Sequence, residues 1–433
     1  MINADQIVKE LSKCGEQYYR DIVKQFGEEI LLENKEINRP KLAQIIFNDT
    51  QRRKELNKLT SMHIARKIQE EAIKEEQSVT IIIDAPLLIE TKLNEICDIV
   101  VSVIASESTK IKRICKRDSI DEKTAKQRLK SQLAEDIYIE NSNYVLTNNK
   151  ANLEKEAEEF LEMLNNQNLF NKETVIIKNE NIKYMQFKKL LKYKNIKHCF
   201  TLKPTDVGSN DTYRTMKSIA DKNYKDICNL LKLDSSNIVR PYQTHTNNVK
   251  KITNEVGIFP EELQDVDGLI TRENNKILSL TFADCTPIYL YDKQKNIIGN
   301  IHSGWQGTVK KTAKYAIIKM KKEFNSDPKD IVCVIGPTIR KCHFEVQKDV
   351  KDIFYNTFKY MKNIDKIIEF NKNTNSYFID TVEINKELLK EEGILEENIV
   401  DSGICTYCNS NIIHSYRKEG KEAGRSTALI CIK

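Results

Sequence analysis

Histidine is scarce in this chain, with six among 433 residues. That scarcity excludes an active site that spends many imidazoles on several metals at once. No apolar run approaches the ~18 residues that a membrane-spanning helix needs. The first residues, Met1-Ile-Asn-Ala-Asp5, lack the basic and apolar regions of a secretory signal. The eleven cysteines are scattered without a paired framework. In a chain of this length without a signal they read as free thiols, and the expected location is the reducing cytoplasm. Charge of one sign is not gathered either. The net charge is +6, with Lys and Glu interspersed, so the surface reads as solvated rather than as a nucleic-acid stripe. Neither nucleic acid nor a membrane is an expected partner. No internal repeat is visible.

The length suits two or three domains. In the first part, Ala4 to Phe26 and Pro40 to Glu76 have helical apolar spacing. Val79 to Asp84, Ile99 to Ile104 and Tyr144 to Thr147 are short β-branched runs, hence strands. Ser108 to Lys116, Asp121 to Leu133 and Leu153 to Leu164 read as helices. Strands alternating with helices predict a parallel α/β sheet. The polar stretch Asn165-Asn-Gln-Asn168 and Asn171-Lys-Glu173 suggests a break. The expected division is a domain over 1–165, a linker over 166–176 and a second α/β (α+β) domain over 177–433. That second part is richer in strands: two runs within Ile277 to Tyr291, then Asn296 to His302 and Ile331 to Ile335, with an amphipathic helix from Val309 to Phe324.

The sharpest chemistry is in the second part. His245 lies in Arg240-Pro-Tyr-Gln-Thr-His245, Cys285 in Ala283-Asp284-Cys285-Thr-Pro287, and His302 in Asn300-Ile-His302-Ser-Gly304-Trp305-Gln-Gly307. Two imidazoles and a thiol form a ligand set for a zinc ion that keeps its fourth position open, as a catalytic zinc does. The ligands stand 40 and 17 residues apart, too far for a single finger, so they must converge from separate loops. Copper is the alternative, because two His and a Cys with a weak axial Met also make a blue-copper site. In such a site the Cys and the last His usually share one loop, so zinc is the expected metal. Asp284, beside the thiol, is a candidate to orient a ligand or take a proton. Ser303-Gly304-Trp305-Gln306-Gly307 leads into the predicted helix, and a helix N-terminus is a ready anion site. Trp305, the sole tryptophan, is a candidate to stack on a substrate ring. A thiol nucleophile at Cys285 with His302 as base is a rival chemistry. A non-catalytic scaffold is another rival.

The second part resembles the laccase-domain family, whose members were once described as polyphenol oxidases and act as zinc-dependent purine nucleoside phosphorylases with adenosine deaminase activity. The resemblance rests on Phe200-Thr201, Gln243-Thr-His245, Asp265-Val-Asp267-Gly268, Ala283-Asp-Cys-Thr-Pro287, Asn300 to Gly307, Ile335-Gly-Pro337 with Phe344-Glu-Val346, and Cys405-Thr-Tyr-Cys408 through Ser415-Tyr-Arg417 to Gly424-Arg425. It implies His245, Cys285 and His302 as zinc ligands. It also implies purine nucleosides (adenosine, inosine, guanosine, methylthioadenosine) and inorganic phosphate as partners. Asp284, Cys285 and His302 become the candidate catalytic residues. Lys203, Ser303, Gly304, Trp305, Gln306, Gly307, Arg417 and Arg425 become the candidate substrate contacts. Lys203 stands where the family usually has arginine, which loses a bidentate fork for phosphate. Cys405 and Cys408, with no second Cys-x-x-Cys in the chain, read as packed thiols.

Residues 1 to about 160 resemble dephospho-coenzyme A kinase. The resemblance rests on Ile2-Asn-Ala-Asp5, Phe26-Gly27, Ile37-Asn-Arg-Pro-Lys-Leu42 with Phe47-Asn-Asp49, Ala85-Pro-Leu-Leu-Ile-Glu90, the lid-like Arg113-Ile-Cys-Lys-Arg117-Asp118, and Gln127-Arg128 with Gln132. It implies a P-loop-kinase-like parallel-sheet domain with dephospho-coenzyme A as ligand. However, no Gly-rich loop ending in Gly-Lys-Ser/Thr occurs in the sequence. Without that loop there is no nest of backbone amides for phosphates and no hydroxyl for Mg²⁺. The family's His-Pro is replaced by Ser61-Met62, and its first central strand is missing. The expectation is therefore a truncated domain without kinase turnover; kinase activity would return with an upstream loop.

Overall fold

The computed structural model describes residues 1–74, 80–130, 132–149, 153–166, 168–208, 213–255 and 261–433. It comprises two compact units, Met1–Val100 and Val101–Lys433.

The first unit is mostly helical. The predicted helix from Ala4 to Phe26 is two helices, Ala4–Leu11 and Gln17–Phe26. Gly15 between them has φ +99°, a conformation glycine adopts at little cost. The run from Pro40 to Glu76 also divides, into Arg39–Asn48 and Thr50–Ala72. Asp49 leaves helical geometry there, and its side chain accepts hydrogen bonds from Gln51 N and Arg52 N, which starts the second helix. Ile2–Asn3 and Ile83–Asp84 form one short parallel pair. Val79, the expected start of the latter strand, lies outside the described residues. Ile2, Ile7, Ile64, Ile68 and Leu93 make one apolar core. Tyr18, Ile22, Phe26, Ile30 and Leu42 make another.

The second unit is built on two large sheets. The eight-stranded sheet runs Val101–Ile104, Tyr144–Thr147, Thr174–Asn179, Ile182–Phe187, Ile196–Thr201, Ser426–Ile432, Ile277–Phe282, Ile238–Val239. The six-stranded sheet runs Ile399–Asp401, Ile331–Ile335, Thr286–Asp292, Ile297–Ser303, Gly268–Thr271, Val249–Lys251. Leu278, Leu280, Ala428 and Ile430 of the first share a buried core with Tyr289, Ile298, Val332 and Val334 of the second. The helix Tyr213–Leu231 covers the outer face of the first sheet through Tyr224, Ile227 and Leu231. The helices Thr312–Phe324 and Thr381–Glu391 cover the second. Alternating residues on the central strands thus face a sheet-to-sheet core or a helix, which buries both faces there.

The break expected over 166–176 does not coincide with the division at Val100. Leu169 in that segment is fully buried, and Thr174 already begins a strand. Asn171 explains the misleading composition. Its side chain accepts hydrogen bonds from Glu173 N and Thr174 Oγ1 and donates one to Ser402 O. Its polarity thus serves a turn held by internal hydrogen bonds rather than solvent contact. Tyr144–Thr147 pairs in parallel with Thr174–Asn179, so strands on both sides of the asparagine-rich stretch lie in one sheet.

Candidate metal centre and its pocket

The six-stranded sheet brings two of the predicted ligands together. Cys285 immediately precedes the strand Thr286–Asp292, and His302 lies in the adjacent antiparallel strand, where Pro287 faces His302 and Thr286 faces Ser303. Their separation in sequence is the length of a hairpin, and His302 sits within a strand rather than on a loop. His245 arrives from the segment after Ile238–Val239. Two residues here adopt left-handed backbone, His245 at φ +62° and Asp284 at φ +85°. Such conformations cost of order 1 kcal/mol or more in non-glycine residues and gather at functional sites.

Asp267 holds the arrangement. It is fully buried. Its carboxylate accepts hydrogen bonds from His302 Nδ1 at 2.7 Å, Thr246 N at 2.6 Å, Thr246 Oγ1 at 2.8 Å and His245 N at 3.1 Å. The bond to Nδ1 fixes the His302 ring and turns Nε2 toward Cys285, the way a carboxylate orients a metal-binding histidine. Cys285 Sγ lies 3.8 Å from His245 Nε2, and the ligand atoms of His245, Cys285 and His302 all lie within 4.8 Å of one another. Two ligands sharing a tetrahedral zinc would stand about 3.6 Å apart, given Zn–S of ~2.3 Å and Zn–N of ~2.0 Å. The donor set therefore fits a metal. Gly304 leaves the space for it: a Cβ there would fall 2.7 Å from His245 Cδ2 and 2.9 Å from Cys285 Sγ.

The three groups are coupled through charge. Burial disfavours a thiolate at Cys285, but His302 and His245 outweigh it and lower the thiol's pKa. Burial likewise opposes a cation at His302, yet the Cys285 thiolate and Asp267 outweigh it and raise the imidazole. Burial would raise Asp267, but hydrogen bonds from His302 and Thr246 hold it well below the usual carboxylate range. Cys285 is thus readily ionised, as a metal ligand must be.

The cluster opens into a cavity of about 640 Å³ whose wall includes Tyr242, Trp305, Phe344, Tyr416, Arg417 and Arg425. Of the predicted substrate contacts, Ser303, Gly304, Trp305, Arg417 and Arg425 line it. Lys203, Gln306 and Gly307 do not. Lys203 Nζ is bound to Glu419 Oε1 at 2.8 Å and donates to Ser410 O at 2.6 Å, so its charge is spent within the protein. Gln306 points to solvent, and Gly307 is buried against Thr312. The predicted continuous helix from Val309 is interrupted. A five-residue helix, Trp305–Val309, ends at Lys310, Lys311 takes φ +62°, and the longer helix begins at Thr312. A single turn carries little of the dipole on which the anion-site expectation rested.

Asp284 lines the cavity, but its carboxylate is already engaged. It accepts hydrogen bonds from Thr406 Oγ1 at 2.6 Å, Ser415 Oγ at 2.7 Å and Arg417 N at 2.6 Å. This saturation suits fastening the Cys285 turn to the C-terminal loops better than taking a proton. In the sequence Asp267 stands out only as part of a motif. Its signal was the Asp-x-Asp-Gly before a strand, whose meaning depends on a contact 35 residues away.

Among the described kinase-like residues, several side chains already have partners. Arg117 pairs with Asp118 at 2.7 Å, Arg128 pairs with the same carboxylate, and Arg113 donates weakly to Asn148. Asn3 caps its own helix and donates to Asp84.

Residues 209–433 match the family described as multi-copper polyphenol oxidoreductase laccase, and the chain belongs to that family. Residues 1–154 match the dephospho-CoA kinase family. Among curated relatives, the purine nucleoside phosphorylase YlmD of Bacillus subtilis is 31% identical over 218 residues, covering 49% of this chain and 77% of the relative. The purine nucleoside phosphorylase CA_C1699 of Clostridium acetobutylicum is 34% identical over 192 residues, covering 44% of this chain and 75% of the relative. Among solved structures, the hypothetical protein YfiH of Bacillus licheniformis aligns with TM-score 0.53 and 27% identity, over 58% of this chain and 96% of that one. YlmD of Geobacillus stearothermophilus shares the fold, with TM-score 0.53 and 22% identity over 59% and 98%. The second half is therefore purine nucleoside phosphorylase-like and the first is kinase-like. Among the described residues no helix is long and apolar enough to cross a membrane.

Proposed function

We propose that the second half is a zinc-dependent purine nucleoside phosphorylase that also deaminates adenosine. His245, Cys285 and His302 are its metal ligands, and adenosine, inosine, guanosine and methylthioadenosine are its substrates. The observation that carries this reading is the three-donor cluster, oriented by buried Asp267, at the wall of a cavity that also offers aromatic rings and two arginines. Zinc bound there would supply a Lewis acid that polarises water or a substrate oxygen. The chain's own groups do the rest. Trp305 and Phe344 offer flat apolar surface to a purine. Arg417 and Arg425 offer positive charge to phosphate. Asp284 acts as a positioning residue, because it ties the Cys285 turn to Thr406, Ser415 and Arg417. In phosphorolysis, phosphate oxygen bonds to the sugar's anomeric carbon as the carbon–nitrogen bond breaks, and the purine leaves carrying a proton. Sugar 1-phosphate and free base are the products.

The test is incubation of metal-replete protein with adenosine or inosine, with and without phosphate. Phosphate-dependent release of base and sugar 1-phosphate is expected, with inosine formed from adenosine. No release of base would sink the reading. Stoichiometric copper with oxygen uptake on a phenol would replace it with oxidase chemistry.

For the kinase-like region we infer binding of dephospho-coenzyme A. The support is the family match over residues 1–154. Titration calorimetry of the purified chain with dephospho-coenzyme A tests it, and no binding would overturn it. The free cysteines support a reducing cytoplasm as the site of action.

A further inference from the structure

A second cluster of soft ligands lies apart from the first. Cys342 and His343 sit on the turn after the strand Ile331–Ile335. Cys405 and Cys408 sit on the loop after Ile399–Asp401. His343 Nδ1 is 3.2 Å from Cys342 Sγ, 3.4 Å from Cys408 Sγ and 3.9 Å from Cys405 Sγ. Cys342 Sγ is 3.9 Å from Cys408 Sγ. All four ligand atoms lie within 4.8 Å of one another. In a tetrahedral zinc site with three thiolates and one imidazole, sulfur atoms stand about 3.8 Å apart and nitrogen stands about 3.6 Å from sulfur. The observed distances scatter around those edges.

We propose that Cys342, His343, Cys405 and Cys408 bind a structural zinc ion. Four protein ligands close the coordination sphere, which is the mark of a structural site rather than a catalytic one. Thiolate and imidazole donors in a tetrahedron select zinc over harder cations. On binding, the three thiols give up their protons to solvent.

The surroundings give the ion a task. Its two loops are already joined beside it by a bidentate pair, Arg340 Nη1 to Asp401 Oδ1 at 2.7 Å and Nη2 to Oδ2 at 2.9 Å. They are joined again by Thr338 N to Ile404 O at 3.2 Å and Thr406 N to Thr338 O at 3.0 Å. Tyr407 stacks on His343 with centroids 4.0 Å apart, which fixes the ring. Residues inside the clip reach the nucleoside-sized cavity: Ile339 and Phe344 line it, Thr406 holds Asp284, and His343 O receives Arg417 Nη1. The zinc clips two loops that form one wall of the pocket. The proposal gives Cys405 and Cys408, read from the sequence as packed thiols, partners 62 or more residues away.

The experiment uses the full chain carrying His245→Ala and Cys285→Ala, so that only the second cluster can report. Metal is removed and cobalt(II) is added. An intense thiolate-to-cobalt charge-transfer band with tetrahedral d–d bands is expected. Weak, octahedral-type absorption overturns the proposal. Adding Cys405→Ser and Cys408→Ser should abolish the band; persistence overturns the assignment. Should those variants fail to fold, His343→Cys decides, since four thiolates should keep the metal and strengthen the charge transfer. An unchanged spectrum there excludes His343 as ligand. Metal analysis of the His245→Ala, Cys285→Ala protein should find about one zinc per chain, held by the second cluster alone. Iron in its place, or a Cys342–Cys408 disulfide in the protein as isolated, overturns zinc. None of these readouts depends on nucleoside turnover, so failure here is distinct from failure of the phosphorylase reading.

Discussion

The two cysteine–histidine clusters offer the same donor types and differ in their surroundings. The first offers three donors, sits at the wall of a cavity, and is backed by a buried carboxylate on His302. The second has four, includes an exposed cysteine, and is backed by a stacked tyrosine and an ion pair between its loops. An open coordination position invites substrate, and a closed one invites only folding energy. The difference lies in ligand count and in what the neighbouring chain leaves empty.

The largest expected effect separates the clusters by activity. Cys285→Ser should lower phosphorolysis by about 100-fold or more while thermal stability changes little, since the open cluster serves chemistry. Activity and Tm measured together check this; a large fall in Tm with retained turnover would reverse the comparison. Next, Asp267→Asn should weaken metal binding at the first cluster by roughly 10–100-fold. Zinc titration against a competing chelator reads it. Gly304→Ala should have a similar effect, because the added methyl would press on His245 and Cys285; unchanged zinc affinity would show that the loop yields. At the second cluster the expected order is inverted: Cys342→Ser should lower Tm by several degrees, and excess chelator should lower wild type toward it but leave the variant's Tm nearly unmoved.

The smallest effect is on pH. Burial disfavours the Asp401 carboxylate, but Arg340 and Lys386 outweigh it and bring its pKa down to about 2. A lowered carboxylate pKa stabilises the fold above its unfolded value near 4, and that contribution is lost as pH falls through the folded value. Roughly 2 kcal/mol is at stake between about pH 5 and pH 2. Denaturant unfolding of wild type and Asp401→Asn over that range should converge at the acid end. A constant gap would show that the ion pair is not the source.

Much of the first cluster was legible because its residues stand in turn-rich motifs at strand ends. Cys285 after Ala-Asp and His302 before Ser-Gly mark themselves by composition. Asp267 was not legible as a supporting residue, because its value comes from gathering N–H groups of Thr246 and His245 around His302. The second cluster was hidden for a related reason. Its two halves are 62 residues apart, and each half alone, a Cys-His pair or a Cys-x-x-Cys, offers only two donors. Lys203 misled in the opposite direction, since its position promised a phosphate contact that Glu419 forecloses.

Local elements followed from periodicity wherever one stretch settles its own geometry. Leu153–Leu164 and Ile331–Ile335 lie where the apolar pattern put them. Helix breaks at Gly15, Asp49 and Lys311 escaped it, because each is a single backbone conformation. The sequence by itself determined the kinds of ligand available and the alternation of strands and helices, because composition and short-range pattern carry these. Only the tertiary structure decided which strands share a sheet, which carboxylate orients His302 and which cysteines meet. Those outcomes depend on burial and pairing between residues far apart in the chain, which no local pattern specifies.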